Sequence, residues 1–125
     1  MQFHNFFTQS ERQWQGFAKS LKILQDQRAF FEKINASYQH TDIQWKLKGD
    51  KAFVNTKRVD VKGHVVLENI TDGTVIQGDW LWWDAKKPDD YTVQGHVTVA
   101  RKEQKLVAQQ MSGSFKGGKI KFKYA

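Results

Sequence analysis

The chain has 125 residues, a formal net charge of +7, one proline and no cysteine. That length suits one domain, and the lack of cysteine excludes disulfides, thiolate metal sites and a cysteine nucleophile. Aromatic residues make up 14% of the chain, with five tryptophans, more apolar surface than a plain core of this size uses. The basic balance favours acidic partners such as nucleic acid, anionic lipid headgroups or an acidic protein. Because the lysines are spread along the chain, solubility alone is an equal reading. No run approaches the roughly 20 apolar residues of a membrane-spanning helix. Met1–Phe17 lacks the charged-then-apolar order of a signal peptide. The expectation is a cytoplasmic protein, or a periplasmic one whose export signal or anchor has been removed.

Residues 8–33 read as an amphipathic helix. Thr8 or Ser10 offers a capping oxygen, and Glu11 sits where the helix dipole favours an acid. Trp14, Phe17, Leu21 and Leu24 recur at spacings of three and four and predict one apolar stripe, suited to docking on a sheet or a partner.

After Asn35 the period changes to two. Ile43, Trp45 and Leu47 alternate with Gln44, Lys46 and Lys48, and Val59, Val61, Val65 and Leu67 alternate with Asp60, Lys62, His64 and Glu68. Val93, Val97 and Val99 do the same around Gly95, as do Ile120, Phe122 and Tyr124 among Lys119, Lys121 and Lys123. Turn-forming residues separate these runs at 55–57, 71–73, 87–90, 101–105 and 117–118. Strands joined by short turns make an antiparallel meander, with no room for parallel crossovers. The expected organisation is therefore a helical segment over 1–33 and an antiparallel β domain over 34–125.

An internal repeat runs through the β region. Val61-Lys62-Gly63-His64-Val65 returns as Val93-Gln94-Gly95-His96-Val97, and Gly49-Asp50 returns as Gly78-Asp79. Ala108-Gln109-Gln110-Met111-Ser112 is a degraded third copy of the Gly-Asp element. Such repeats mean stacked units that bury their apolar faces against one another. With the lead-in Ile34 to Tyr38 and the stretch Trp45 to Ala52, the pattern resembles the OstA-like lipopolysaccharide-transport domains of the LptA and LptC type over roughly residues 34–124.

The resemblance implies a twisted, incompletely closed β-jellyroll that holds acyl chains, works in the periplasm without catalysis, and stacks edge to edge with related domains. It implies lipopolysaccharide or another amphiphile as ligand, related OstA-like domains as partners, and an inner-membrane partner. The membrane anchor of the LptC type is absent, and a helix before the sheet departs from the family. The apolar strand faces with Trp45, Leu47, Val61, Val65, Ile76, Trp80, Trp82, Val97, Ile120 and Phe122 are the expected lipid-binding surface. The plainer alternative is that they form a closed core. In Trp80-Leu81-Trp82-Trp83 both strand faces are apolar, so the helix or a partner is expected to cover one of them.

No nucleophile elbow, phosphate loop or dinucleotide fingerprint occurs. His64 and His96, and Asp50 and Asp79, recur as repeat equivalents without a third ligand at metal-binding spacing. The expectation is a protein that is not an enzyme and needs no metal or cofactor. Two other classes compete with lipid carriage. One is a single-strand nucleic-acid platform, favoured by charge and aromatics but lacking an RNP-like or cold-shock motif. The other is an assembly module docking through Trp14, Phe17, Leu21 and Leu24.

Overall fold

The computed structural model describes residues 2–4, 14–24, 28–117 and 120–124. They form ten strands: β1 (Gln2–His4), β2 (Trp14–Phe17), β3 (Ser20–Ile23), β4 (Ala29–His40), β5 (Ile43–Val54), β6 (Arg58–Asn69), β7 (Val75–Asp84), β8 (Asp90–Arg101), β9 (Gln104–Ser114) and β10 (Lys121–Lys123). All belong to one antiparallel sheet ordered β1-β2-β4-β5-β6-β7-β8-β9-β10, with β3 also pairing β4. From β4 to β10 the order is that of the chain, so the β domain is an unbroken meander. The turns expected at 55–57, 71–73, 87–90 and 101–105 fall there, while that at 117–118 lies partly outside the described residues. Asn55 Oδ1 accepts the amides of Lys57 and Arg58, and Asn69 Oδ1 accepts those of Thr71 and Asp72.

The amphipathic helix expected over 8–33 is not what the described residues of that segment form. Trp14–Phe17 pairs with Asn35–Tyr38, and Ser20–Ile23 pairs with Ala29–Glu32. β2 and β3 thus run along the same side of β4, interrupted at Ala18-Lys19. The stripe of Trp14, Phe17, Leu21 and Leu24 does not survive. Trp14 is 1% exposed and Phe17 60%, because residues three apart on a strand point to opposite faces. The capping residues Thr8, Ser10 and Glu11 lie outside the described residues.

A crease crosses the sheet through the repeated motifs. Register shifts fall between Lys48 and Lys51, Lys62 and Val65, Gln77 and Trp80, and Gln94 and Val97. At each Gly-His pair two residues oppose one on the next strand, the pattern of a β-bulge. Both residues of each pair have positive φ, 84° and 46° at Gly63-His64 and 85° and 48° at Gly95-His96. The Gly-Asp strands change inward parity at the same line. Leu47 and Gly49 face in before it and Ala52 and Val54 after it, while Ile76 gives way to Leu81 and Trp83. Ala108-Gln109-Gln110-Met111 takes the third place on this line, opposite Gly95-His96.

The crease divides the sheet into two leaves that close over a single core. Trp14, Tyr38 and Trp45 on one leaf meet Trp83, Tyr91 and Phe115 on the other. Trp14 stacks on Trp83 with centroids 5.5 Å apart, although β2 and β7 lie far apart in strand order. Phe115, with 0% exposure, sits edge-on to Trp14 and Trp83, and Trp45 Nε1 donates to its carbonyl at 2.7 Å. Most of the remaining core is aliphatic, with Leu47, Val61, Val65, Leu67, Val93 and Val97 at 0–1% exposure beside the fully buried Phe31.

Two outcomes follow for stability. Phe115→Ala removes the ring at the centre of the aromatic cluster and should cost about 3–5 kcal/mol in urea unfolding. Gly95→Ala should cost more than about 1 kcal/mol, because alanine does not tolerate the positive φ and its Cβ would lie 2.6 Å from Asp79 Oδ2. An unchanged midpoint in either variant would contradict the role given to that residue.

Candidate functional site

Most of the residues expected to hold acyl chains are packed against each other instead. Trp45, Leu47, Val61, Val65, Ile76 and Val97 are 0–3% exposed within the core. Trp80 and Trp82 are not on that face at all. The parity change beside Asp79 turns Leu81 and Trp83 inward and leaves the other two tryptophans half-buried on the outer surface. A one-residue shift in a strand inverts the facing of everything beyond it.

Ile120 and Phe122 remain accessible. They pack on the margin of the core and, with Val99 and Leu106, line a groove of about 580 Å³ between β8, β9 and β10. Arg101, Lys105, Gln104 and Asp72 also line it and are exposed, while Thr74 is buried at 6% exposure. Val99 forms the floor at 8% exposure, and Leu106 is 47% exposed on the edge strand. An apolar floor beside two cations, against the one acid Asp72, suits an apolar chain that ends in an anionic group. The alternation in the sequence pointed to Ile120 and Phe122. Arg101 and Lys105 bound a turn in the sequence and Leu106 carries no signal of its own, because nothing local says that β10 stops short of them.

Among the described residues, two stretches of sheet edge are also without a partner strand. β10 covers only Gln110–Ser112 of β9, so among the described residues Gln104–Gln109 has no partner on its outer side. Leu106 and Val107 (63% exposed) lie on this edge. At the opposite margin β1 covers β2 but not β3, where Ile23 is 67% exposed. Unpaired backbone on edge strands is a template for another strand.

The repeat-equivalent histidines and aspartates do come together, pairwise across the crease. His64 Nδ1 lies 2.7 Å from Asp50 Oδ2, and His96 Nδ1 lies 2.7 Å from Asp79 Oδ2. Lys33 Nζ adds a 3.0 Å contact to Asp50 Oδ1. The hydrogen bond from His64, then that from Lys33, holds the Asp50 carboxyl below its usual value. The hydrogen bond to Asp79, then its charge, raises the His96 imidazole above its usual 6.5. Among the described residues, no three His, Cys, Asp or Glu side chains converge as a metal site would require. These pairs tie strand to strand at the bulges.

The stability carried by His96 is therefore full below pH 6.5 and is lost as pH rises through its elevated folded value. For Asp50 the sign reverses: its contribution is present above pH 3.8 and lost as pH falls through the lowered value. In an NMR titration the His96 imidazole should titrate above 6.5, and Asp79→Asn should bring it down. A His96 titration indifferent to Asp79→Asn would break the pair.

Searches against protein-family models and curated proteins return no match for the chain. The functional reading accordingly rests on the groove, the free edges and the repeated motif.

Proposed function

We propose that this chain is a non-enzymatic, lipid-handling β domain of the OstA-like type, an incompletely closed jellyroll acting in the periplasm. It takes the apolar part of an anionic amphiphile such as lipopolysaccharide along Val99, Leu106, Ile120 and Phe122. Arg101 and Lys105 receive the anionic group. The observation that carries this reading is that groove, in which accessible apolar side chains and two cations converge beside an unpaired strand edge.

The filled interior alters how the ligand is held. Acyl chains would lie in the groove at the margin of the core, not within the core, where the aromatic side chains already occupy the space. Each buried methylene contributes about 0.8 kcal/mol, so even a short stretch of chain in the groove gives measurable affinity. The edges of β9 and β3 supply the means of joining related domains, since strand addition draws affinity from backbone groups that are otherwise unpaired. An inner-membrane partner would use the same edges.

Native mass spectrometry with titrated lipopolysaccharide tests the proposal. One-to-one adducts are expected. Leu106→Asp should weaken them about tenfold, equivalent to roughly 1.4 kcal/mol, and Arg101→Glu with Lys105→Glu should weaken binding to anionic but not neutral amphiphiles. A protein that takes up no amphiphile, or binds equally well with Asp at 106, is not a carrier of this kind.

A further inference from the structure

The outer face of the leaf formed by β3, β10 and the adjoining parts of β4–β9 carries an aromatic and cationic patch remote from the groove's lining. Phe30 and Phe53 are cross-strand partners with ring centroids 5.1 Å apart. Trp80 and Trp82 lie beyond them on β7, with centroids 4.4 Å apart. On the intervening β6, Lys62 Nζ stands 5.8 Å from the Phe53 ring and 4.9 Å from that of Trp80. The Arg58 guanidinium stands 5.6 Å and 5.3 Å over Trp80 and Trp82. Asp60 fixes the group, accepting two bonds from Arg58 at 3.0 and 2.8 Å and one from Trp80 Nε1 at 2.8 Å.

The charges on this face are unbalanced. Lys51 lies directly opposite Lys62, and like charges placed so are destabilising. The rows through Trp80 and Trp82 end on Lys123 and Lys121 of β10, and Lys22 of β3 lies opposite Phe30. All five of these lysines are exposed. The acids in the same two rows are Glu32 and Asp60, the latter already committed to Arg58. Asp84 opposite Arg58 and Asp90 opposite Ser114 lie at the end of the face, so cations still outnumber acids.

An anionic ligand follows from the charge, and the state of the rings selects its class. Base stacking by nucleic acid uses an open ring face. Here Arg58, Lys62 and the neighbouring ring already lie against the tryptophans. Rings set among cations suit a bilayer interface, where aromatic side chains sit at headgroup depth and lysines reach the phosphates. We propose that this face docks on an anionic phospholipid surface, with Phe30, Phe53, Trp80 and Trp82 at the interface and Lys51 and Lys62 among the headgroups.

Vesicles of phosphatidylcholine with phosphatidylglycerol, compared with phosphatidylcholine alone, test it by co-sedimentation and by quenching with brominated acyl chains. Trp14, Trp45 and Trp83 are 1–3% exposed in the core, so quenching reports Trp80 and Trp82. Wild type should bind the anionic vesicles, with tryptophan quenching that fades as salt is added. Lys51→Glu with Lys62→Glu, a change confined to exposed side chains, should weaken binding at least tenfold, since each cation near such a surface contributes about 1 kcal/mol. Leu106→Asp should leave vesicle binding unchanged, which separates this face from the groove. The proposal is overturned by absent binding to anionic vesicles, by binding insensitive to the lysine reversals, by loss on Leu106→Asp, or by unquenched tryptophans. Capture of a single-stranded oligonucleotide in place of vesicles, abolished by the same reversals, would likewise overturn it and assign the face to nucleic acid.

Discussion

Two leaves cannot close over a core unless every strand bends along the same line, and the Gly-Asp and Gly-His pairs supply that bend. At Gly63-His64 and Gly95-His96 consecutive residues take left-handed backbone angles, which glycine adopts freely and histidine only at some cost. The aspartate of the preceding strand meets each histidine at 2.7 Å, and a side chain on either glycine would collide with that carboxylate. On the inner side, Gly49 and Gly78 leave room for Val61 and Val93 of the next strand, whose methyls a Cβ would strike. The repeat is thus a hinge element, used twice in full and a third time, at Ala108-Gln109, without the glycine or the acid.

The aromatic cluster at the meeting of the leaves depends on this bend. Trp14 and Trp83 reach each other across a gap in strand order only because the sheet has folded. Phe115 then fills the space between them, and its carbonyl satisfies the indole of Trp45. Six large rings, all at 0–3% exposure, pack against one another there, in keeping with the close packing of protein interiors. Any ligand-holding surface is consequently displaced to the margin, where β10 ends early and Ile120 and Phe122 stay accessible.

On the proposed reading, displacement to the margin leaves three separate surfaces. The groove offers an apolar floor beside two cations, the β9 edge offers backbone groups, and the outer face offers rings held between cations. The exposed edge carries an aggregation hazard that natural sheets usually suppress with charge or proline. Lys105 is the charge on this edge, but Leu106 and Val107 follow it directly. Retention of apolar residues there accords with an edge that has an intended partner.

Much of the β domain is legible from local features. Alternation in β5, β6, β8 and β10 and turn residues at 55–57 and 71–73 mark strands and hairpins, because both depend on residues within a few positions of each other. The helix read over 8–33 fails for a related reason. A parity change moves the next inward residue three positions along, as from Phe31 to Ile34, from Gly49 to Ala52 and from Gly78 to Leu81. The break at Ala18-Lys19 likewise sets Trp14, Phe17, Leu21 and Leu24 at spacings that also describe a helix. The pairing that makes this segment extended comes from Asn35–Tyr38 and Ala29–Glu32, which no local pattern reveals. From β5 onward the alternating strands, the hairpin turns at 55–57 and 71–73 and the repeat are legible in the sequence alone. Which side of the crease each residue faces, that Trp80 and Trp82 lie outside while Trp83 lies within, and where the groove opens were decided only by the tertiary structure. Those outcomes depend on register between distant strands, where a shift of one residue turns a side chain from core to solvent.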